Sequence, residues 1–315
     1  MPKAVVIAVL AGVVSALAFA APLSGAGFGF AVVNFAHLPL FLAGLSLGVA
    51  AAAIASAAAS GLILTFAGLA GAAPYVIAFA IPAVLVVRQA LLSRPAAEET
   101  LEWYPPGHML TILTAYGATA LVIVALFLSG RPEGLEGLIR AALQEGLARF
   151  LPGLPEANRA ATAARWATVF PAMAVTSWLL TVVVNGALAQ AILARSGRNR
   201  RPSMRFSRVE VPKSLAIAVA LSAVAWLALD GTLGYIGGML AIVLAAPYFF
   251  QGLAVIHELS RPWAGRVFAL VVFYLLLVFL LSWPGLALVA GLGLVEQWVG
   301  LRRRLAVTAP DEEEE

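Results

Sequence analysis

The sequence has no cysteine among its 315 residues, and only 11% of the residues are charged. The absence of cysteine excludes disulfides, thiolate nucleophiles and cysteine-based metal sites. The shortage of charge excludes an ordinary water-soluble fold, in which about a quarter of the residues are Asp, Glu, Lys or Arg. With 62% hydrophobic residues and a mean hydropathy of +0.95, the chain is too apolar for a soluble core to bury its side chains.

Long apolar runs separate the few charges, and about 20 apolar residues of helix cross a bilayer core of ~30 Å. Ten runs are predicted as membrane-crossing helices: 4–22, 30–48, 50–70, 73–93, 107–129, 165–194, 212–229, 233–256, 264–282 and 285–300. The alternative is eight crossings. In that case the second and third runs, which have no charged residue between them, form a re-entrant pair that does not fully cross the membrane. The predicted fold class is all-α, a polytopic transmembrane helix bundle.

The predicted bundle forms one domain over residues 1–301, followed by a cytoplasmic tail over 302–315 that is first basic, then acidic, and disordered. The first run also fits a secretory signal, since Ala18-Phe19-Ala20 resembles a small-residue cleavage site. The retained helix is preferred, because only one charge, on Lys3, precedes the run.

Lysine and arginine are distributed unevenly between the two sides of the predicted bundle. With the N-terminus in the cytoplasm, fifteen of the twenty basic residues lie at cytoplasmic helix ends. They include the cytoplasmic basic cluster of Arg195, Arg198, Arg200, Arg201, Arg205, Arg208 and Lys213. The remaining five lie on one long outer loop. This partition is typical of a bacterial inner-membrane protein with both termini inside, and it fits eight crossings as well as ten.

The outer loop contains apolar residues at helical spacing over about 133–151, with Glu136 and Arg140 paired four residues apart on the polar side. This pattern predicts an amphipathic helix in the plane of the interface. It either covers the outer end of the bundle or acts as a lid, and the sequence leaves both interpretations open.

Small residues occupy every fourth position of the first run, at Ala4, Ala8, Gly12, Ala16 and Ala20. Such a ridge allows the backbone of another helix to approach closely. The ridge either docks a partner subunit or packs inside the same bundle.

Few polar side chains lie within the apolar runs, where burial in lipid is costly. Near the predicted outer mouth, Asn34, His37 and Asp230 are candidate ligand-binding residues. At equal depth toward the inner side, Gln251 and Glu296 are a candidate hydrogen-bonded pair, and the alternative partner of Glu296 is a nearby arginine such as Arg303.

Signatures of catalysis and metal binding are missing from the sequence. The three histidines, His37, His108 and His257, lie in separate segments without metal-binding spacing, and no phosphate-binding glycine loop occurs. We therefore expect no enzyme activity, no cofactor, no bound metal and no nucleic-acid partner. The less favoured alternative is an intramembrane hydrolase that uses Glu296.

Three segments resemble the YybS-like family of uncharacterised bacterial membrane proteins, at 38–48, 247–255 and 291–304. Glu296 stands where that family is expected to have Asp. The family is distantly similar to the substrate-capturing membrane subunits of energy-coupling-factor transporters. That likeness implies an unidentified small-molecule ligand, a separate ATPase module, and a coupling protein docked on the small-residue ridge. The alternative function is a non-transport membrane scaffold or assembly factor whose working surface includes Gln251, Glu296 and the basic loop around Arg200, facing the cytoplasm or anionic lipid.

The distribution of basic residues predicts that both chain termini lie on the cytoplasmic side. A reporter fused after Glu315 is expected to be active only as a cytoplasmic fusion, and one fused before Met1 should give the same answer. Opposite locations for the two reporters would contradict the predicted topology.

Overall fold

The computed structural model describes residues 2–25, 27–95, 100–204 and 209–308 of the chain. The first half contains α1 (Lys3–Ala20), α2 (Gly29–Val32), α3 (His37–Leu47), α4 (Val49–Tyr75), α5 (Ile81–Ala90) and α6 (Pro106–Ser129). A two-stranded antiparallel hairpin of β1 (Ser93–Pro95) and β2 (Leu101–Trp103) precedes α6, with Arg94 opposite Glu102. The predicted all-α membrane bundle is confirmed, with this short hairpin as an unpredicted addition.

The second half is also helical where it is described. Its helices are α7 (Gly134–Phe150), α8 (Glu156–Ala167), α9 (Phe170–Arg195), α10 (Lys213–Ala228), α11 (Gly231–Leu259), α12 (Arg266–Leu275), α13 (Ser282–Val299) and α14 (Leu301–Thr308). The chain divides into two compact units, described separately below. The first unit is Met1–Met109 with Ser177–Met204, and the second is Leu110–Thr176 with Arg205–Glu315.

Within the described residues, six helical segments are long and apolar enough to cross a membrane. They are Lys3–Ser24, Gly29–Leu47, Val49–Ala90, Pro106–Ser129, Phe170–Arg195 and Gly231–Leu259. Three shorter apolar helices are Lys213–Ala228, Arg266–Leu275 and Pro284–Val299. The shorter helices coincide with the predicted runs at 212–229, 264–282 and 285–300.

The segment Val49–Ala90 is a helical hairpin. A straight helix of its 42 residues would measure about 63 Å, twice the hydrocarbon thickness. Gly68 interrupts it with φ 61° and ψ −167°, a conformation that glycine alone adopts easily. The Ser56 hydroxyl donates to the carbonyl of Ala80 across 3.4 Å, so the two arms lie side by side. The predicted runs 50–70 and 73–93 are these two arms.

The predicted boundary between the runs 264–282 and 285–300 is corrected by the structure. The backbone is helical from Arg266 to Val299, through a π-helical segment at Leu276–Leu281. Pro284 lies three residues after this π-helical segment, inside the continuous helix. Proline has no backbone N–H to bond one turn back, and local π-helical winding is one of the adjustments by which a membrane helix accommodates it.

Two further predictions about the loops are settled by helix positions. The predicted amphipathic helix is α7, whose Glu136 and Arg140 form an ion pair at 2.7 Å. Its Leu135 is buried in the second unit with Ala172 and Met239, so α7 packs on the helices of that unit. The predicted disordered tail begins instead as the helix α14, and residues 309–315 lie outside the described residues.

The small-residue ridge of α1 packs inside the first unit. Ala8, Gly12 and Ala16 are buried, and a Cβ added to Gly12 would overlap the carbonyl oxygen of Ala55 on α4. Ala4 and Ala20, at the two ends of α1, are not buried. The middle of the ridge therefore cannot dock a partner subunit, because α4 of the same chain packs against it. This corrects the docking interpretation for Ala8, Gly12 and Ala16.

The contact between α1 and α4 predicts the effect of enlarging Gly12. Gly12→Leu should destabilise the folded protein by about 1–3 kcal/mol, because a rigid backbone carbonyl lies where the side chain must go. The matched control is Gly61→Leu on α4, where nothing lies within 4 Å of an added Cβ. Thermal unfolding in mild detergent measures both, and equal stability of the two variants would contradict the packing.

Candidate functional site

Arg201 is buried at the end of the first unit that contains the β-hairpin. Its Nη1 donates to the carbonyl of Ala90 at 3.2 Å and its Nη2 to the carbonyl of Tyr104 at 2.9 Å. The guanidinium lies 5.7 Å from the ring centroid of Trp103, a cation–π contact. Burial lowers the pKa of Arg201, but the ordinary value for arginine is so high that the side chain stays charged. Arg201 therefore joins α5, the hairpin and the segment after α9.

The backbone of Arg201 is held as firmly as its side chain. Its carbonyl oxygen accepts hydrogen bonds from Gln190 Nε2 at 2.7 Å and from Asn199 Nδ2 at 2.8 Å. Gln190 belongs to α9, so the end of the turn at Arg201 is bonded back to the helix that the turn follows.

Three arginines of this turn, Arg195, Arg198 and Arg200, are exposed, and we call them the arginine surface. Arg200 also lies over Gly48 at the C-terminus of α3, where the helix dipole favours a cation. A cavity of about 340 Å³ lies on the same unit. It is lined by Leu92, Ser93, Arg94, Glu102, Trp103, Tyr104, Pro105 and His108.

The predicted basic cluster is thus divided by the structure. Arg201 is removed from the surface and becomes an anchor, which corrects its predicted role as a contact residue. Lys213 is exposed but belongs to the second unit. Arg205 and Arg208 lie outside the described residues.

In the second unit, amide side chains hold the extended segment before α10. Gln251 accepts from the backbone N–H of Val211 at 2.7 Å and donates to the carbonyl of Gly293 at 2.7 Å. Gln297 donates to the carbonyl of Val211 at 2.9 Å. Val211 is buried, and both of its backbone groups are therefore satisfied by side chains from α11 and α13.

The predicted hydrogen bond between Gln251 and Glu296 is corrected to two separate contacts. Gln251 does reach α13, but it bonds the backbone at Gly293, one turn before Glu296. Glu296 is buried and accepts from the backbone N–H of Leu301 at 2.7 Å and from Arg302 Nε at 2.9 Å. The carboxylate thereby caps the first turn of α14, where free N–H groups favour an anion. Arg302, and not Arg303, is its arginine partner.

The candidate outer residues are not gathered into one described pocket. His37 is fully buried, and its Nε2 lies 3.1 Å from the carbonyl oxygen of Ala78. Asn34 is exposed, and its Nδ2 donates to the carbonyl of Phe30 at 2.7 Å. Asp230 is exposed at the start of α11, in the second unit.

These helices and their internally satisfied polar groups define the class: a multi-pass membrane helix bundle. The particular family follows from residues 9–296, which match the family model described as "Predicted membrane protein (DUF2232)". The chain belongs to this family. No curated protein and no solved structure matches the chain.

Sequence reasoning did not predict the roles of Arg201, Arg302 and Trp178. Trp178 lies on α9, and its Nε1 donates to the carbonyl of Ala78 at 2.7 Å. The partners of these side chains are largely backbone carbonyls, which every residue carries and which leave no signal in a sequence. The one available signal was the position of Glu296 six residues before Arg302.

The Glu296 contacts predict a specific loss on neutralisation. Glu296→Gln should lower the free energy of unfolding by about 2–3 kcal/mol, because its NH₂ group would meet N–H donors of Leu301 or Arg302. Glu102→Gln removes an exposed ion pair to Arg94 and should cost less than about 1 kcal/mol. Denaturant unfolding in detergent compares the two, and a smaller loss for Glu296→Gln would contradict the buried cap.

Proposed function

We propose that the protein is a non-transport membrane scaffold that presents the arginine surface to an acidic segment of a partner protein. The observation that carries this proposal is the fixed turn after α9. The buried Arg201 holds the turn through two carbonyls and Trp103, while Arg195, Arg198 and Arg200 remain exposed. A preorganised set of charges binds with less loss of conformational entropy than a flexible loop.

The arginine surface is preferred as the partner-binding surface because the other candidate surfaces already make contacts within the chain. The middle of the α1 ridge packs on α4, and Gln251 and Glu296 bond backbone groups. The arginine surface differs from them in leaving three charged side chains to solvent. Charge complementarity then sets the partner chemistry, which is anionic.

In this proposal the protein lies in a bacterial inner membrane. The arginine surface and both chain termini face the cytoplasm. The positive-inside pattern supports this orientation. The proposed role includes no catalytic step, cofactor or nucleic acid. The lipid bilayer is the other expected partner.

A transport subunit is the second candidate, and it rests on the resemblance of segments 38–48, 247–255 and 291–304 to the YybS-like family and, more distantly, to energy-coupling-factor subunits. In that case a separate ATPase module and a bound small molecule accompany the chain. The exposed apolar side chains of α1, such as Leu10 and Leu17, are then available to a coupling protein beside the buried ridge.

Site-specific photocrosslinking tests the scaffold proposal. A photoreactive residue in place of Ser196, between the exposed arginines, should give a discrete protein adduct in the native host. The same residue in place of the exposed Asn158 is the control and should not give that adduct. Replacing Arg195, Arg198 and Arg200 together by Gln should reduce the adduct about tenfold or more, because three ion pairs are lost.

Three outcomes would contradict the proposal. One is an adduct that persists undiminished in the triple variant, and another is the crosslinking of lipid alone at Ser196. Copurification of the unmodified protein with an ATPase module and a small molecule would instead establish the transport subunit.

A further inference from the structure

A cavity of the first unit lies where two membrane segments meet the membrane surface. Its volume is about 340 Å³, and its described lining consists of residues 92–94, 102–105 and 108. Leu92 comes two residues after the membrane segment Val49–Ala90 ends, and His108 lies in the first turn of the next one, Pro106–Ser129. Because an apolar segment that crosses the bilayer ends near the lipid headgroups, the cavity lies at headgroup depth.

The walls of this cavity are held in place by the rest of the first unit. The backbone N–H of Tyr104 donates to the carbonyl of Leu92 at 3.0 Å, which joins the two sides of the hairpin. The buried Arg201 bonds the Tyr104 carbonyl at 2.9 Å and lies 5.7 Å from the ring centroid of Trp103. The ring of His108 meets that of Tyr104 edge to face, with 5.9 Å between their centroids. A cavity formed in advance binds a ligand with less loss of conformational entropy.

Arg94 and Glu102 bring one positive and one negative charge to the lining, and each uses only part of its bonding capacity on the other. Arg94 donates through Nε at 2.8 Å and through Nη2 at 2.7 Å, and both contacts end on the same carboxylate oxygen, Glu102 Oε2. Among the contacts of the described residues, Arg94 Nη1 and Glu102 Oε1 have no partner. The two side chains are 76% and 52% exposed, so a second partner can reach them.

A free donor and a free acceptor at headgroup depth match a headgroup that carries both charges. A phosphate accepts hydrogen bonds from a guanidinium. A primary ammonium donates to a carboxylate and is also attracted by aromatic rings, of which Trp103, Tyr104 and His108 line the cavity. A headgroup with a phosphate but no amine would place a negative charge near Glu102 without a cation to offset it.

We propose that this cavity binds the headgroup of a phospholipid that carries a primary amine, phosphatidylethanolamine being the simplest. Arg94 Nη1 donates to the phosphate, and Glu102 Oε1 accepts from the ammonium. The aromatic side chains enclose the two methylene groups between them. The site is separate from the arginine surface and does not depend on the scaffold proposal.

Native mass spectrometry of the full-length protein in mild detergent tests the selectivity. Phosphatidylethanolamine should bind at about tenfold lower concentration than phosphatidylglycerol, because the amine adds one charge-assisted hydrogen bond. Glu102→Gln should abolish this preference, and Arg94→Gln should weaken the binding of both lipids about tenfold. Equal binding of the two lipids by the unmodified protein, or an unchanged preference in Glu102→Gln, would overturn the proposal.

The ion pair of Glu258 and Arg261 supplies matched controls. It is a second ion pair between side chains, at 3.2 Å, and it belongs to the second unit. Glu258→Gln and Arg261→Gln should leave the binding of both lipids unchanged, and a loss equal to that of the cavity variants would overturn the site. Soluble phosphoethanolamine carries the same charged groups without acyl chains, and it should compete only at far higher concentration. Displacement at equal concentration would assign the cavity to a soluble molecule and overturn the lipid assignment.

Zero-length crosslinking locates the amine. A carbodiimide joins a carboxylate to a primary amine as an amide and takes up the water that is released. With phosphatidylethanolamine present, peptide mass spectrometry should find the lipid attached to Glu102 and not to Glu258. Phosphatidylglycerol, which has no amine, should give no adduct. Attachment to other carboxylates without attachment to Glu102 would overturn the site.

Discussion

Every polar group inside a lipid bilayer has to find its partner within the protein, and this constraint explains most of the described contacts. The polar side chains of the apolar segments bond mainly to backbone carbonyls. Gln251 joins α11 to α13 in this way, Asn185 joins α9 to the chain before α3, and Trp178 joins α9 to the segment Val49–Ala90. Where lipid removes the hydrophobic drive for association, such bonds and close backbone packing fix which helices meet.

The positions of the helices were largely predictable because apolar length and helical spacing are properties of the sequence itself. The runs at 4–22 and 107–129 became α1 and α6 nearly as predicted, and the pattern over 133–151 became α7. The predictions failed where one residue type has two uses. Pro284 was taken to separate the runs 264–282 and 285–300, and it lies instead within continuous helix.

The candidate sites were less predictable, because their geometry depends on segments far apart in the chain. Counting residues placed Gln251 at the same depth as Glu296, and Gln251 does reach α13. Counting did not identify Gly293 as its partner, because every residue carries a backbone carbonyl and its use leaves no signal in the sequence. Likewise, nothing in the arginine run indicates that Arg201 is the buried member. That choice is made by Trp103 and Tyr104, nearly a hundred residues earlier.

The bend at Gly68 also bears on how the protein enters the membrane. A single residue joins the two arms of Val49–Ala90, and the hydroxyl of Ser56 already bonds across them. An arm separated from the other would lose this contact, and the backbone of the bend would lose the cover of its neighbour. The two arms are therefore expected to enter and stay in the membrane as one hairpin.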